Sequence, residues 1–194
     1  MTNEEMWAGK LGDEYTERNE TTQNYESRLG FFDTVIKKYK PKKVLEVGAN
    51  AGYNMGFFER AVSFMNCYGI DVNSRAIEDA QECGLQVVYG SATDIPFKDE
   101  WFDLVFTAGV LIHIPPKEIK KAMAEIIRVS HKYVLCIEYY SQVERERPFL
   151  GEMGITWERP WNDLYTAMGL KIVEAGFLTQ AEGFNDLSWW MFTK

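Results

Sequence analysis

The sequence predicts an α/β fold built on a doubly wound, mostly parallel sheet. Short β-branched or apolar runs alternate with amphipathic helical patterns, as successive βαβ units require. The first such run, in "VLEVGANAGYN" (44–54), breaks into a glycine turn where a helix should begin. At 194 residues the chain suits one domain, long enough to bury a sizeable core.

Each element follows in chain order. Residues 1–22 belong to no sheet and are expected across its top or edge, and "NYESRLGFFDTVIKKY" (24–39) has the periodicity of an amphipathic helix. "KKVLEVG" (42–48) is strand one, with a helix from about Gly52 to Val62. "NCYGIDV" (66–72) is strand two; "NSRAIEDAQECG" is its helix, with Asn73 or Ser74 as N-cap and Gly84 as stop. "LQVVYGS" (85–91) is strand three, and "WFDLVFTAG" (101–109) is strand four, its near-continuous apolar run suiting a strand covered on both faces. "PPKEIKKAMAEIIRVS" (115–130) opens with prolines at a helix entrance and puts Ile119, Met123, Ile126 and Ile127 near one face. "KYVLCIEYY" (132–140) is strand five, and "ERERPFLGEMGITWERP" (144–160) reads as a long loop. "WNDLYTAMG" is a helix; "LKIVEAGFLTQ" and "LSWWMFTK" are the last two of seven strands. The expected organisation is a helical cap over 1–40, a ligand-binding core over 41–140 and a substrate-side loop with the final strands over 141–194.

Composition narrows the function. Hydrophobic residues at 46% and aromatics at 14% exceed what a disordered chain carries. The net charge of -8 opposes binding to polymeric nucleic acid. Cys67, Cys83 and Cys136 are odd in number and widely spaced, which reads as buried free thiols in a reducing compartment. No run approaches the roughly 18–20 apolar residues of a membrane span, and the N-terminus is acidic, so no membrane association and a cytoplasmic location are expected. No metal is expected, because the few His and Cys residues lack ligand spacing.

The opening turn carries the ligand reading. Gly48 allows a tight turn, Gly52 a close backbone approach, and Asn50 between them is tolerable because asparagine visits left-handed conformations. A dinucleotide fingerprint would place glycines at Asn50 and Tyr53, and Tyr53 is hard to reconcile with a bound pyrophosphate. Asp71, 25 residues after Glu46, ends strand two, where a carboxylate can accept from both hydroxyls of a ribose. Glu46 disfavours phosphates and favours a ligand carrying an ammonium or sulfonium.

With Glu46 to Gly52, Asp71, "GSATDIPF" and "FDLVFTAGVLIHI", residues 41–140 resemble the class I S-adenosylmethionine-dependent methyltransferases. The resemblance implies a Rossmann-like seven-stranded sheet whose last strand is antiparallel, with S-adenosylmethionine as cofactor and S-adenosylhomocysteine as product. It implies that Gly48, Ala49, Asn50 and Gly52 pack on the cofactor, with Glu46 at its amino-acid end and Asp71 on its ribose. Val72 would meet the adenine face, Ser91 and Ala92 its edge, and Thr107, Ala108 and Gly109 the methionine portion. Ser91 stands where the family commonly has an aspartate, and Asn50 where it has glycine. "WAGKLGDEYTERN" (7–19), "GANAGYN", "EYYS" and "SWWMFTK" further resemble methyltransferases associated with pseudaminic acid biosynthesis, whose loop commonly reads G-A-N. That resemblance implies an acceptor of the nonulosonic sugar or sugar-nucleotide type, methylated at oxygen or nitrogen.

Methyl transfer asks the protein mainly to align a nucleophile and exclude water, with a base where the acceptor must lose a proton. His113 is the candidate base or else a packing histidine; Glu138 and Tyr140 are further catalytic candidates, Glu138 alternatively bonding the preceding loop. Tyr139, Tyr15, Arg18 and Asn19 are candidates for binding the acceptor, Arg18 suiting a carboxylate. Arg145, Arg147 and Arg159 lie where they could reach an anionic substrate, but their interleaving with Glu144, Glu146 and Glu158 reads rather as a solvated charge mix. Open alternatives are another small metabolite or a nucleobase as acceptor, a cofactor-binding partner protein without catalysis, and an NAD-dependent oxidoreductase. The expected state is monomer or homodimer.

Overall fold

The computed structural model describes residues 1–22, 25–62 and 66–194. Thr2 and Glu5 form a reciprocal capping box that starts α1 (Asn3–Ala8), and α2 (Lys10–Thr22) follows. The helix predicted over 24–39 is a 3₁₀ turn (Tyr25–Arg28) running into α3 (Leu29–Tyr39), which buries Phe32 and Val35; Asn24 lies outside the described residues. β1 (Val44–Val47), α4 (Met55–Val62), β2 (Cys67–Asp71), α5 (Ser74–Glu82), β3 (Val87–Tyr89) and β4 (Phe102–Ala108) alternate as the sequence patterns require. Asn73 is the N-cap of α5, its side chain accepting the Ala76 N–H at 2.8 Å. α6 (Ile119–Val129) buries Ile119, Met123 and Ile126 together with Ala122 and Val129.

β5 (Ser130–Glu138) begins two residues earlier than expected, so His131 is an exposed strand residue. The predicted loop over 144–160 is instead an antiparallel hairpin of β6 (Arg145–Phe149) and β7 (Glu152–Glu158). Leu150 and Gly151 make its two-residue turn, with φ of 52° and 87°, the left-handed pair that a tight hairpin needs. Pro148, which argues against a strand, sits where the ladder register shifts between Arg147 and Phe149. α7 (Trp161–Ala167), β8 (Lys171–Leu178) and β9 (Leu187–Thr193) complete the chain.

The main sheet has seven strands in the order β3-β2-β1-β4-β5-β9-β8. β1 to β5 pair in parallel, and β9 runs antiparallel to both neighbours. This is the fold class the sequence predicts. Both faces are covered: Leu45, Val47 and Ile70 pack with α6 on one side, while Val44, Leu104 and Phe106 pack with Phe32 and Phe58 on the other. Adjacent Trp189 and Trp190 divide between the two layers. Cys67 and Cys136 are buried free thiols, but Cys83 is exposed, because it caps the solvent end of α5.

The sheet order reverses between β1 and β4, which opens a crevice beyond the carboxyl ends of the strands. α1, α2 and the hairpin roof that crevice. Asn3 Nδ2 donates to the carbonyls of His113 (3.3 Å) and Gly154 (3.1 Å), Asn73 Nδ2 donates to the Trp7 carbonyl (3.3 Å) and Asp13 (2.8 Å), and Asn50 Nδ2 donates to Thr16 Oγ1 (2.9 Å).

Gly69 in β2 shows how tightly the floor is packed: a Cβ there would lie 2.7 Å from both Ala49 Cβ and Met55 Sδ. Gly69→Ala is expected to cost ~1–3 kcal/mol by overpacking. Urea denaturation should show a lowered midpoint with an unchanged slope.

Candidate active site

The crevice holds a cavity of about 370 Å³, within the size range of small-molecule sites. Its floor begins where β1 ends. Gly48 (φ +72°) and Ala49 both donate to the Ile70 carbonyl at 2.9 Å, so the turn after β1 is strapped to β2. Asn50 takes φ +50°, the left-handed state asparagine tolerates, and its N–H donates to Asp71 Oδ2 at 2.8 Å. Asp71 Oδ1 accepts the Asn73 N–H at 2.9 Å. Backbone N–H groups thus engage both Asp71 oxygens, while the residue still lines the cavity. Burial raises its carboxyl above the ordinary value, and these backbone donors oppose the rise.

Glu46 is 2% exposed on the cavity wall. Its Oε1 accepts from Asn54 Nδ2 at 2.7 Å, and Asn54 Oδ1 accepts from Arg28 Nη1 at 2.8 Å. Oε2 is buried with no hydrogen-bond partner among the described residues. Burial pushes the Glu46 carboxyl up to about 8, against the pull of Asn54 and the Arg28 charge. An unpaired buried acceptor beside a buried guanidinium is costly in isolation, which marks this wall as a place for a charged ligand.

The wall above β4 is a turn, Leu111–His113, held from two directions. From β5, Glu138 accepts the N–H groups of Val110 (3.1 Å), Leu111 (3.0 Å) and Ile112 (3.3 Å). From the end of β7, Arg159, fully buried, donates to the carbonyls of Leu111 (3.0 Å) and Ile114 (2.7 Å) and to Glu144 (2.5 Å). Burial pushes the Glu138 carboxyl up to about 7, and its backbone donors oppose the shift. The turn delivers His113, whose Nδ1 lies 3.2 Å from the Ile155 carbonyl and whose ring sits 4.3 Å from Trp7 and 5.3 Å from Phe149. Burial pulls its imidazole down to about 4, so the ring is neutral near pH 7. Nδ1–H donating to Ile155 leaves Nε2 as the acceptor nitrogen.

Of the residues singled out from sequence, Glu46, Gly48, Ala49, Asn50, Asp71, Val72, Ala92, Ala108 and Gly109 line this cavity, as do His113, Tyr139, Tyr15 and Asn19. The others stand behind or beside it. Glu138 is fully buried beneath the turn, so its part is to position that turn. Tyr140 is exposed and packs its ring 5.4 Å from Trp190. Thr107 is buried inside β4, and Arg18 is exposed with its guanidinium 5.3 Å from the Tyr15 ring. Gly52 is needed for its φ of +78° and because a Cβ would lie 2.4 Å from Leu85, not for approach to a ligand. Ser91 faces Glu4 rather than the cavity. Arg159 is buried rather than solvated, whereas Arg147 stays exposed among the glutamates, paired with Glu158 at 2.8 Å, and also lines the cavity 4.2 Å from the Tyr139 ring. Sequence reasoning passed over Glu4, Trp7, Arg28 and Asn54, which reach the cavity from helices and a loop whose docking is long-range. The one local signal was Arg28, a charge at the head of an otherwise apolar helical face.

The β1–β5 region with this turn and carboxylate, residues 45–137, matches the family model described as "Methyltransferase domain". Over those residues the chain is similar to a methyltransferase domain. Among proteins of similar sequence, an uncharacterized protein of Haemophilus influenzae is 36% identical over 99 residues, 45% of this chain and 38% of that one. The phthiotriol/phenolphthiotriol dimycocerosates methyltransferase 1 of Mycobacterium ulcerans is 33% identical over 92 residues, 45% of this chain and 33% of the relative. The matched stretch thus spans well under two thirds of the length of these relatives. Among solved structures, the magnesium protoporphyrin IX methyltransferase of Synechocystis PCC 6803 with bound SAH superposes with a TM-score of 0.74 at 12% identity, covering 98% of this chain and 97% of that one. At that identity the likeness is one of fold, and the fold is that of the class I methyltransferases.

The buried acids of this domain set its response to pH. Glu46 and Glu138 have folded-state values of about 8 and about 7, above the ordinary 4.5, so the native state binds more protons than the unfolded chain in between. Their contribution to stability is full below about pH 4.5 and is lost as pH rises through 7 and 8. Denaturation of the ligand-free protein should show stability falling from about pH 5 to about pH 8, and Glu46→Gln should flatten the upper part of that slope.

Proposed function

We propose that this chain is an S-adenosylmethionine-dependent methyltransferase acting on oxygen or nitrogen of a small molecule, a sugar or sugar-nucleotide of the nonulosonic acid type. The observation that carries the cofactor reading is the chemistry of one cavity wall. Glu46, with an unpaired buried oxygen, and Arg28, a buried cation, suit the ammonium and carboxylate of an amino acid, while Asp71 farther along suits a ribose diol. A ligand carrying both ends is an adenosyl amino acid. The residues present fit it.

When bound, S-adenosylmethionine supplies a methyl group on a sulfonium, electrophilic enough for direct displacement. The chain's own work is to hold and to shield. Gly48 and Ala49 present backbone at the turn, Val72 and Ala92 cover the base, and Ala108 and Gly109 flank the methionine end. The roof of α1, α2 and the hairpin excludes water from the reacting atoms.

The acceptor end is walled by Trp7, Tyr15, Tyr139 and Phe149, with Arg147 at its rim. Arg145 and Arg147 share the single carboxylate of Glu158, leaving one positive charge beside the aromatic faces. Such a mouth suits an anionic sugar acid, in keeping with the resemblance of the end segments. His113, neutral and with Nδ1 turned to Ile155, takes the acceptor's proton at Nε2 as the nucleophile aligns. The same aromatic walls would also accept a planar base, which is the second reading.

Transfer of labelled methyl to a panel of nonulosonic acids, their nucleotide-activated forms, nucleobases and unrelated amines tests both. Label is expected on a nonulosonate; cofactor binding with label only elsewhere sinks the sugar assignment, and absence of cofactor binding sinks the methyltransferase reading. His113→Gln should lower kcat about 10²- to 10⁴-fold with cofactor affinity unchanged. An unaltered kcat would return His113 to a packing role. Cofactor binding should also tighten up to about tenfold per pH unit between about pH 6 and pH 7.5, as Glu46 gives up its proton to meet the ammonium, and Glu46→Gln should abolish that dependence.

A further inference from the structure

At the ends of β2 and β3 the cavity is lined by Asp71, Val72, Asn73, Gly90 and Ala92, with the Asn73 amide tied to Trp7 and Asp13. Gly90 and Ala92 contribute no polar side chain there, and both Asp71 oxygens already hold backbone donors. Ser91, between Gly90 and Ala92, turns its hydroxyl away from the cavity. Ser91 Oγ accepts the Thr93 N–H at 3.1 Å and donates its own proton to Glu4 Oε2. The other oxygen of Glu4 has no hydrogen bond among the described residues, and Glu4 itself lines the cavity.

Glu4 is held there from both sides. Asn3 is tied to the carbonyls of His113 and Gly154, and the Trp7 carbonyl accepts from Asn73. Its carboxylate thus enters the base-binding end of the cavity from the roof, with Ser91 as its bracket.

We infer that Glu4, positioned by Ser91, accepts the exocyclic amino N–H of the cofactor's adenine, so that recognition of the base is delivered by the N-terminal helix and not by the sheet. This rests on the cofactor placement proposed above. A carboxylate offers only acceptors when ionised, so it selects a 6-amino purine and repels a 6-oxo purine, whose oxygen would face it unpaired. Selection of the base is thereby tied to the docking of the roof.

Calorimetric titration of the full chain with S-adenosylhomocysteine and S-inosylhomocysteine tests the assignment. The unaltered protein should prefer the adenosyl ligand by about ten- to a hundredfold, as a hydrogen bond to a charged acceptor provides. In Glu4→Gln the amide donates to a 6-oxo group as readily as it accepts from a 6-amino group, so the preference should fall to within about threefold. It should do so with inosyl affinity held or improved, which shows that the roof still docks. Ser91→Ala should reduce the preference in part. A preference that survives Glu4→Gln, or an equal weakening of both ligands, overturns the assignment and leaves Glu4 a mere fastening of the roof. Asp71→Asn separates this from failure of the placement itself. It should weaken both ligands alike, and if it changes neither, the cofactor does not lie along this wall and the Glu4 assignment falls with it.

Discussion

The turn after β4 hangs on a buried carboxylate. Three successive N–H groups, Val110 to Ile112, converge on Glu138, and two carbonyls of the same turn are taken by Arg159. A turn inside the protein must place all its backbone polar groups, and here the N–H groups are met by the Glu138 carboxyl and the carbonyls by the Arg159 guanidinium. Because Glu138 belongs to β5 and Arg159 to the foot of the hairpin, the same contacts fix three elements against one another. Removing either charge would orphan several buried groups at once, typically worth 3–5 kcal/mol for a buried ionic partner. The wall that carries His113 exists because of that arrangement.

Three strands of the sheet carry acids at or near their carboxyl ends, with different duties. Glu46 on β1 is half satisfied and faces the cavity, Asp71 on β2 shares its oxygens between backbone and cavity, and Glu138 on β5 is spent on backbone. Position decides their use: Glu46 and Asp71 line the cavity and can meet a ligand, while Glu138 lies wholly beneath the turn and cannot.

Much of this was legible in the chain. The glycine turn, Glu46 and Asp71 are local to strand ends, so periodicity and turn chemistry locate them, and Asn50 in a left-handed state is what its residue type allows. Glu138 was legible as a residue at the right end of the sheet but not as a buried anchor, since which groups face it depends on how the turn after β4 folds back. The hairpin was hidden because Pro148 and alternating charges mimic a loop, while its signal lies in the Leu150–Gly151 turn and the inward face of Ile155, Trp157 and Arg159. Glu4, Trp7 and Arg28 were illegible for a further reason. They arrive from helices whose docking is decided by single side-chain contacts far apart in sequence, such as Asn73 with Trp7.

The roof differs from the floor in what holds it. α1 has no buried residue, and its fastenings are mostly single hydrogen bonds from asparagine amides, whereas the floor is packed apolar strand. Segments with few apolar contacts detach at a small fraction of the free energy that unfolds a core. A ligand held in the crevice can therefore leave by a local opening while the sheet stays intact. Its residence time becomes a property of the first helices, set by how often they let go of the floor.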